Sequence, residues 1–302
     1  MAGFSGKQFV DLFTTVLEIV APVFILATLG FVWVKLGFEY RLQFVTRLAM
    51  TVAVPCLIFT ALMKTELDKS TLGTFLVASL LGYVAIAMIG FLLVQLSGLN
   101  LRTYLAPFIF GNTGNLGIPL ALFAFGETGL GYAVVILAVT SVLSFTFGIY
   151  LVAGKGGGSK ALKEPVVWAT LLGALFLWQD WQTPRFMTNA LDLIGQMAIP
   201  LMLITLGVAV ARLTPGKLSL AIAVSLLKLS VCAAIGWAIG VSFGLDHVAF
   251  GVMVLQLSTP VAVTSYLLAE KFNADSEAVA GLVVVSTLIA VVSLPLLLAF
   301  LL

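Results

Sequence analysis

Two short polar stretches stand inside apolar surroundings in this 302-residue chain. One is Gly111, Asn112, Thr113, Gly114, Asn115, Leu116, Gly117, Ile118 and Pro119; the other is Gln256, Leu257, Ser258, Thr259 and Pro260. Side-chain amides and hydroxyls are neutral donors and acceptors, while glycine and proline interrupt the helix that would otherwise hide the backbone. In hydrocarbon, freed backbone groups survive only where they are buried in protein or line a wet cavity. The chemistry these residues suit is recognition rather than bond making. Asn112, Thr113, Asn115, Gln256, Ser258 and Thr259 are the expected substrate-binding groups. Gly111, Gly114 and Gly117 would let the backbone be reached, and Pro119 and Pro260 would keep it from closing again as helix. Neither stretch holds an acidic residue, and a neutral site flanked by helix N-termini suits a carboxylate better than a bare cation.

Catalysis finds little footing. His247, the one histidine, sits in a short loop without H-E-x-x-H, and Ser258 has neither a histidine partner nor a G-x-S-x-G elbow around it. A paired-aspartate protease would need two aspartates centred in spans, and none is centred. Cys56 and Cys232 lie in apolar runs and read as small buried hydrophobes. No Cys/His spacing supports a metal or a disulfide framework, and no cofactor is expected.

The elements that position these groups follow from composition. At 61% hydrophobic and 9% charged residues, with a mean hydropathy of +1.18, the chain is a polytopic membrane protein surrounded by lipid bilayer. A net charge of +2 without a basic patch interleaved with aromatics points away from nucleic acid. Ten apolar segments, each about long enough to cross the hydrocarbon, lie at 9–35, 42–63, 72–96, 102–125, 130–153, 165–181, 187–211, 218–243, 247–269 and 278–301. The first is too long for a signal-peptide core and is read as a retained span. The 154–164 stretch, rich in Gly and Lys, misses the phosphate-loop spacing and reads as a flexible linker. Nine basic residues (Lys35, Arg41, Arg102, Lys155, Lys160, Lys163, Arg212, Lys217 and Lys271) face four on the other side (Lys7, Lys64, Lys69 and Arg185). The positive-inside rule then puts both termini outside and the linker in the cytoplasm, across the cell's inner (plasma) membrane.

The two halves, 1–153 and 165–302, match at a nearly constant offset. Ser79-Leu80-Leu81, Ile89-Gly90 and Gly98-Leu99 recur 146 residues on as Ser225-Leu226-Leu227, Ile235-Gly236 and Gly244-Leu245. Pro55 and Thr60 recur 145 on as Pro200 and Thr205, and Pro22 and Gly30 recur 143 on as Pro165 and Gly173. Five spans per half is an odd number, so the second half enters the membrane inverted. The 145 offset carries Gly111–Asn115 onto 256–260, which places two interrupted helices at equivalent positions; in transporters such breaks mark the substrate site. Pro55, Thr60, Pro200 and Thr205 are expected to shape the helices beside the crossing. Intramembrane charges are few. Lys228, about ten residues into the eighth segment, is open to meeting an anion, pairing with a carboxylate or snorkelling; Glu18 lies as deep in the first segment, where solvation or pairing is expected.

The run Gly-Asn-Thr-Gly-Asn-Leu-Gly-Ile-Pro-Leu at 111–120 resembles the fourth-span signature of the auxin efflux carrier family of permeases. Ile199-Pro200-Leu201 to Gly207 is similar to that family's seventh span, and Pro260 followed by Leu268-Ala269-Glu270-Lys271-Phe272 to its ninth. The short linker fits a bacterial-type member. The resemblance implies an all-α protein of ten helices in two inverted five-helix repeats, with helices 4 and 9 broken and crossing. It further implies export of a small organic anion, such as an auxin-like or dicarboxylic acid, by alternating access, and it alone suggests a homodimer. Two other readings stand beside it: a transporter fold serving as a membrane sensor, and a cation- or sodium-coupled symporter of the bile-acid-transporter type. No output domain is attached, which weighs against the sensor. Whether protons, sodium or membrane potential drives transport is not written in the sequence.

Overall fold

A computed structural model of the chain describes residues 6–65, 68–153, 165–212 and 218–302. The linker at 154–164, with Lys155, Lys160 and Lys163, and also Lys217 lie outside the described residues. The protein is all-helical. In chain order the helices are α1 (Gly6–Lys35), α2 (Leu42–Leu48), α3 (Val54–Lys64), α4 (Lys69–Leu96), α5 (Leu101–Ile109), α6 (Ile118–Leu143) and α7 (Ile149–Ala153). They continue as α8 (Pro165–Gln179), α9 (Arg185–Gln196), α10 (Ala198–Arg212), α11 (Leu218–Ser242), α12 (His247–Leu257), α13 (Val263–Lys271) and α14 (Ser276–Leu301). Among the described residues there is no strand, only one isolated antiparallel bridge.

Among the described residues, seven stretches are long and apolar enough to cross a bilayer: Thr14–Lys35, Leu42–Lys64, Lys69–Leu96, Thr113–Ala153, Arg185–Arg212, Leu218–Ser242 and Ser276–Leu301. Several contain local departures from the helix, and each has a residue to account for it. Pro55 has no N–H and its ring crowds the carbonyl four residues back, and the turn before it, Ala49–Ala53, is π-helical. Pro200 lies two residues inside α10, just after Met197, a turn residue with α-helical backbone angles at which α9 gives way to α10. Gly126, at φ +64° and ψ −156°, adopts a conformation open to glycine and divides α6.

The polar stretches hang from two matching corners. Gly98 and Gly244 take φ of +67° and +58°, which lets α4 and α11 end in the same way. Leu99 N–H then donates to Val94 O, and Leu245 N–H to Gly240 O, at 3.1 and 3.0 Å. One residue later, Asn100 Oδ1 accepts from Arg102 N–H at 2.9 Å, and Asp246 Oδ1 from Val248 and Ala249 N–H at 2.9 and 3.0 Å. Each cap satisfies donors that a helix start leaves orphaned. Tyr132 OH also donates to Asp246 at 3.0 Å, fixing the corner against α6.

Small residues set the helix approaches. Gly207 of α10 lies on the Ala27 carbonyl of α1, and Gly30 of α1 on the Ile204 carbonyl of α10, so two backbones touch where a Cβ would not fit. Gly173 of α8 makes a tight but less close approach to the Leu62 side chain and Phe59 Cα of α3. The interior is filled by Phe75, Tyr83, Phe108, Phe110 and Tyr132, with the Phe75 and Tyr132 rings 4.6 Å apart.

Candidate functional site

The first interruption comes where α5 stops. Phe110, Gly111 and Asn112 leave the helix before a π-helical turn, Thr113–Gly117, leads into α6. Gly114, Gly117 and Pro119 therefore lie inside the resumed helix, and the break falls seven residues before Pro119 rather than at it. Pro119 acts on the turn before it, as Pro55 does: it has no N–H for the Asn115 carbonyl, and Thr113–Gly117 is π-helical. The second interruption runs from Ser258 to Ala262, between α12 and α13, and does contain Pro260.

The two interruptions satisfy one another. Asn112 N–H donates to Pro260 O at 2.7 Å, and Ala262 N–H donates to Phe110 O at 3.3 Å, flanking the bridge between Gly111 and Val261. Val261 N–H turns the other way and donates to Ser286 Oγ of α14 at 3.0 Å. Backbone groups that would be costly at membrane depth are thus paired without closing the helices. Glycine is needed for the approach: a Cβ on Gly111 would overlap Thr259 Oγ1, and one on Gly117 would overlap the Gln256 amide.

The side chains predicted from sequence are mostly gathered here. Asn112, Thr113, Gln256, Ser258 and Thr259 are all buried, between 0 and 5% exposed, and Asn115 is half-buried. Thr259 Oγ1 donates to Gln256 O at 2.7 Å, so its hydroxyl serves its own chain. Asn112 Nδ2, Gln256 Oε1 and Nε2, and Ser258 Oγ have no hydrogen-bond partner. Unpaired buried polar atoms are expensive, which makes these four the candidate ligand-binding groups of the crossing. Two helix N-termini, at Thr113 and Val263, open at the same place and add positive partial charge.

The flanking residues serve shape. Thr60 Oγ1 donates to Cys56 O at 2.9 Å within α3, while Thr205 Oγ1 and Tyr40 OH share a hydrogen bond at 2.8 Å. Thr60 also lines a polar cavity of about 810 Å³ between α3, α6 and α9, together with Lys64, Glu127, Thr128, Asp192 and Gln196. Lys64 and Asp192 form an ion pair there. Of the two intramembrane charges, Glu18 lies on an exposed face of α1, whereas Lys228 is buried.

Sequence reasoning missed Ser286 and the Tyr83–Thr140 pair, whose hydroxyls lie 2.6 Å apart beside the Phe110 ring. A signal for them existed. Thr140-Ser141 and Ser286-Thr287 are 146 residues apart, in the register of the other matches.

Comparison with known proteins completes the description. The family described as "Membrane transport protein" matches residues 15–164 and 158–298. An "Uncharacterized transporter" of Methanothermobacter thermautotrophicus is 30% identical over 294 residues, covering 92% of this chain and 96% of its own. A protein of Rhizobium meliloti named "Putative malonate transporter" is 22% identical over 299 residues, covering 90% of this chain and 92% of its own. An "Uncharacterized transporter" of Methanocaldococcus jannaschii is 23% identical over 295 residues, covering 90% and 94%.

Proposed function

The chain belongs to this membrane transport protein family, the auxin efflux carriers of the sequence resemblance, and from that premise we propose that it carries a small organic anion across the membrane by alternating access. It is an integral membrane protein of a family that is not an enzyme class. One observation carries the proposal: two interrupted helices close on each other through backbone hydrogen bonds and leave Asn112, Gln256 and Ser258 with unpaired buried polar atoms. Neutral donors and two helix N-termini form an environment for a carboxylate. The name of the Rhizobium relative makes malonate the first acid to try.

The architecture behind this reading is ten spans in two inverted halves, 1–153 and 165–302, joined by the linker at 154–164. Its support is the pairing of equivalent features: α1 on α10 and α8 on α3 through glycines, and identical corners at Gly98 and Gly244. In this scheme α1–α3 and α8–α10 are the static part, and the crossed helices with α4, α11 and α14 move against it. The polar cavity at Thr60, Lys64 and Asp192 is the route from the outer face, with both termini on that side and the linker in the cytoplasm.

The test is uptake of labelled malonate and of aromatic carboxylic acids into proteoliposomes by the wild type and Asn115→Ala. Asn115, half-buried at the crossing, is expected to be required for transport while leaving folded yield near normal. Wild-type uptake rates in the variant would remove Asn115 from the site; no uptake of any acid by the wild type would remove the organic-anion reading.

A further inference from the structure

Lys228 is the one charged side chain among the described residues that is fully buried, 2% exposed within α11. Its burial discards snorkelling. The ion pairs among the described residues are Arg41–Glu39, Lys64–Asp192 and Lys69–Asp180, so no carboxylate neutralises it either. The contact its Nζ makes is with Cys232 Sγ at 3.9 Å, a weak and neutral acceptor. A buried ammonium in this state costs stability until an anion joins it.

A second group waits beside it. Ser225, one turn earlier on the same face of α11, is 3% exposed, and its hydroxyl has no partner. The helix α11 packs on α12, α14 and α4, the helices around the crossing. Tyr83 of α4, which packs on α11, stacks its ring at 6.5 Å on Phe110, where α5 breaks. Gly82, the position 146 residues before Lys228, stands against Leu257 at the other break.

We propose that Lys228 is the fixed cation that neutralises a carboxylate bound at the crossing, with Ser225 Oγ beside it as a neutral donor. The inference rests on the organic-anion reading above and deepens it. The amides and hydroxyls of the breaks read the shape of the substrate, and the ammonium reads its charge. Without substrate the carrier holds an uncompensated charge, so binding and stabilisation are coupled through one atom.

The experiment uses the full-length protein in detergent and compares wild type with Lys228→Gln by thermal unfolding. The probes are malonate, its neutral isostere malonamide, and chloride. Wild type is expected to be stabilised by malonate far more than by malonamide or chloride. Lys228→Gln is expected to melt at or above the wild-type temperature without ligand, because an unpaired charge has gone. Its malonate affinity should fall by about 30-fold or more, the low end of what losing one partner of a buried charge pair costs. A variant that melts lower, or fails to fold both as Lys228→Gln and as Lys228→Met, would make the ammonium a structural group and overturn the proposal. So would wild-type malonate affinity in Lys228→Gln, or equal response of the wild type to malonate and malonamide. If no carboxylate stabilises or is transported by the wild type, the organic-anion reading itself falls, an outcome distinct from a wild type that responds and a variant that responds equally.

Discussion

Replacing Gly207 by alanine tests the backbone contact between α1 and α10. The added methyl would fall on the Ala27 carbonyl oxygen, 2.6 Å from its carbon and 2.9 Å from Phe31 N. Carbon atoms in contact prefer roughly 3.5–4.0 Å, so α1 would have to retreat by about 1 Å. The obstructing atoms are backbone, and no rotamer change relieves them. A gap of that size forfeits about a quarter to a half of the dispersion attraction at each contact along the seam, and overpacking of this kind costs about 1–3 kcal/mol. Gly114→Ala is the matched control. There the new methyl meets Leu137 Cδ1 at 3.5 Å and Met202 Cε at 3.6 Å, ordinary contacts, and the loss of chain entropy in the unfolded state stabilises by about 0.4–1 kcal/mol. The two variants should therefore differ by about 1.5–4 kcal/mol, read as the order of melting temperatures of the detergent-purified proteins. Gly30→Ala should behave like Gly207→Ala, since it meets the Ile204 carbonyl on the same seam. Once one substitution has parted the helices the second has less to lose, so the double variant should cost less than the two costs added together. Gly207→Ala melting at or above Gly114→Ala would refute the close approach, and strict additivity would refute the shared seam.

Two other substitutions probe the crossing. Gln256→Met removes two buried atoms that have no partner and fills similar volume, so thermal unfolding should show a protein at least as stable as wild type while proteoliposome uptake is lost. Ser286→Ala leaves Val261 N–H buried without its acceptor; the expected loss of about 1–3 kcal/mol should appear as a lower melting temperature.

What the sequence revealed and what it hid divide along physical lines. Local chemistry was legible: Gly98 and Gly244 announced a repeated corner, and the glycine, amide and proline content of 111–119 and 256–260 announced interruptions. The position of the first break was not, because Pro119 can sit in the opening turn of a helix at little cost, and the residues that leave the helix, Phe110, Gly111 and Asn112, come before the turn it disturbs. Partnerships across the halves were also hidden. Nothing in the order of residues says that Gly117 makes room for Gln256, or that Val261 turns its N–H toward Ser286, since such pairs are fixed by helix crossing rather than by spacing. Lys228 illustrates the limit best. A long side chain ten residues into a span is as able to reach the interface as to stay inside, and only its surroundings decide.

The reciprocal hydrogen bonds of the crossing also bear on how the protein is made. Asn112 N–H finds its acceptor on Pro260, 148 residues later in the chain. At ordinary rates of synthesis that separation is about 7–30 s, during which the first half is already in or near the bilayer with its broken backbone unmatched. An unsatisfied peptide group in hydrocarbon costs several kcal/mol, so the newborn first half is driven to wait at the interface, or to be shielded by the insertion machinery, until its counterpart is translated. The pairing that closes the two breaks on each other thus bears on the order of assembly: the backbone of the first half is matched only when the second half is in place.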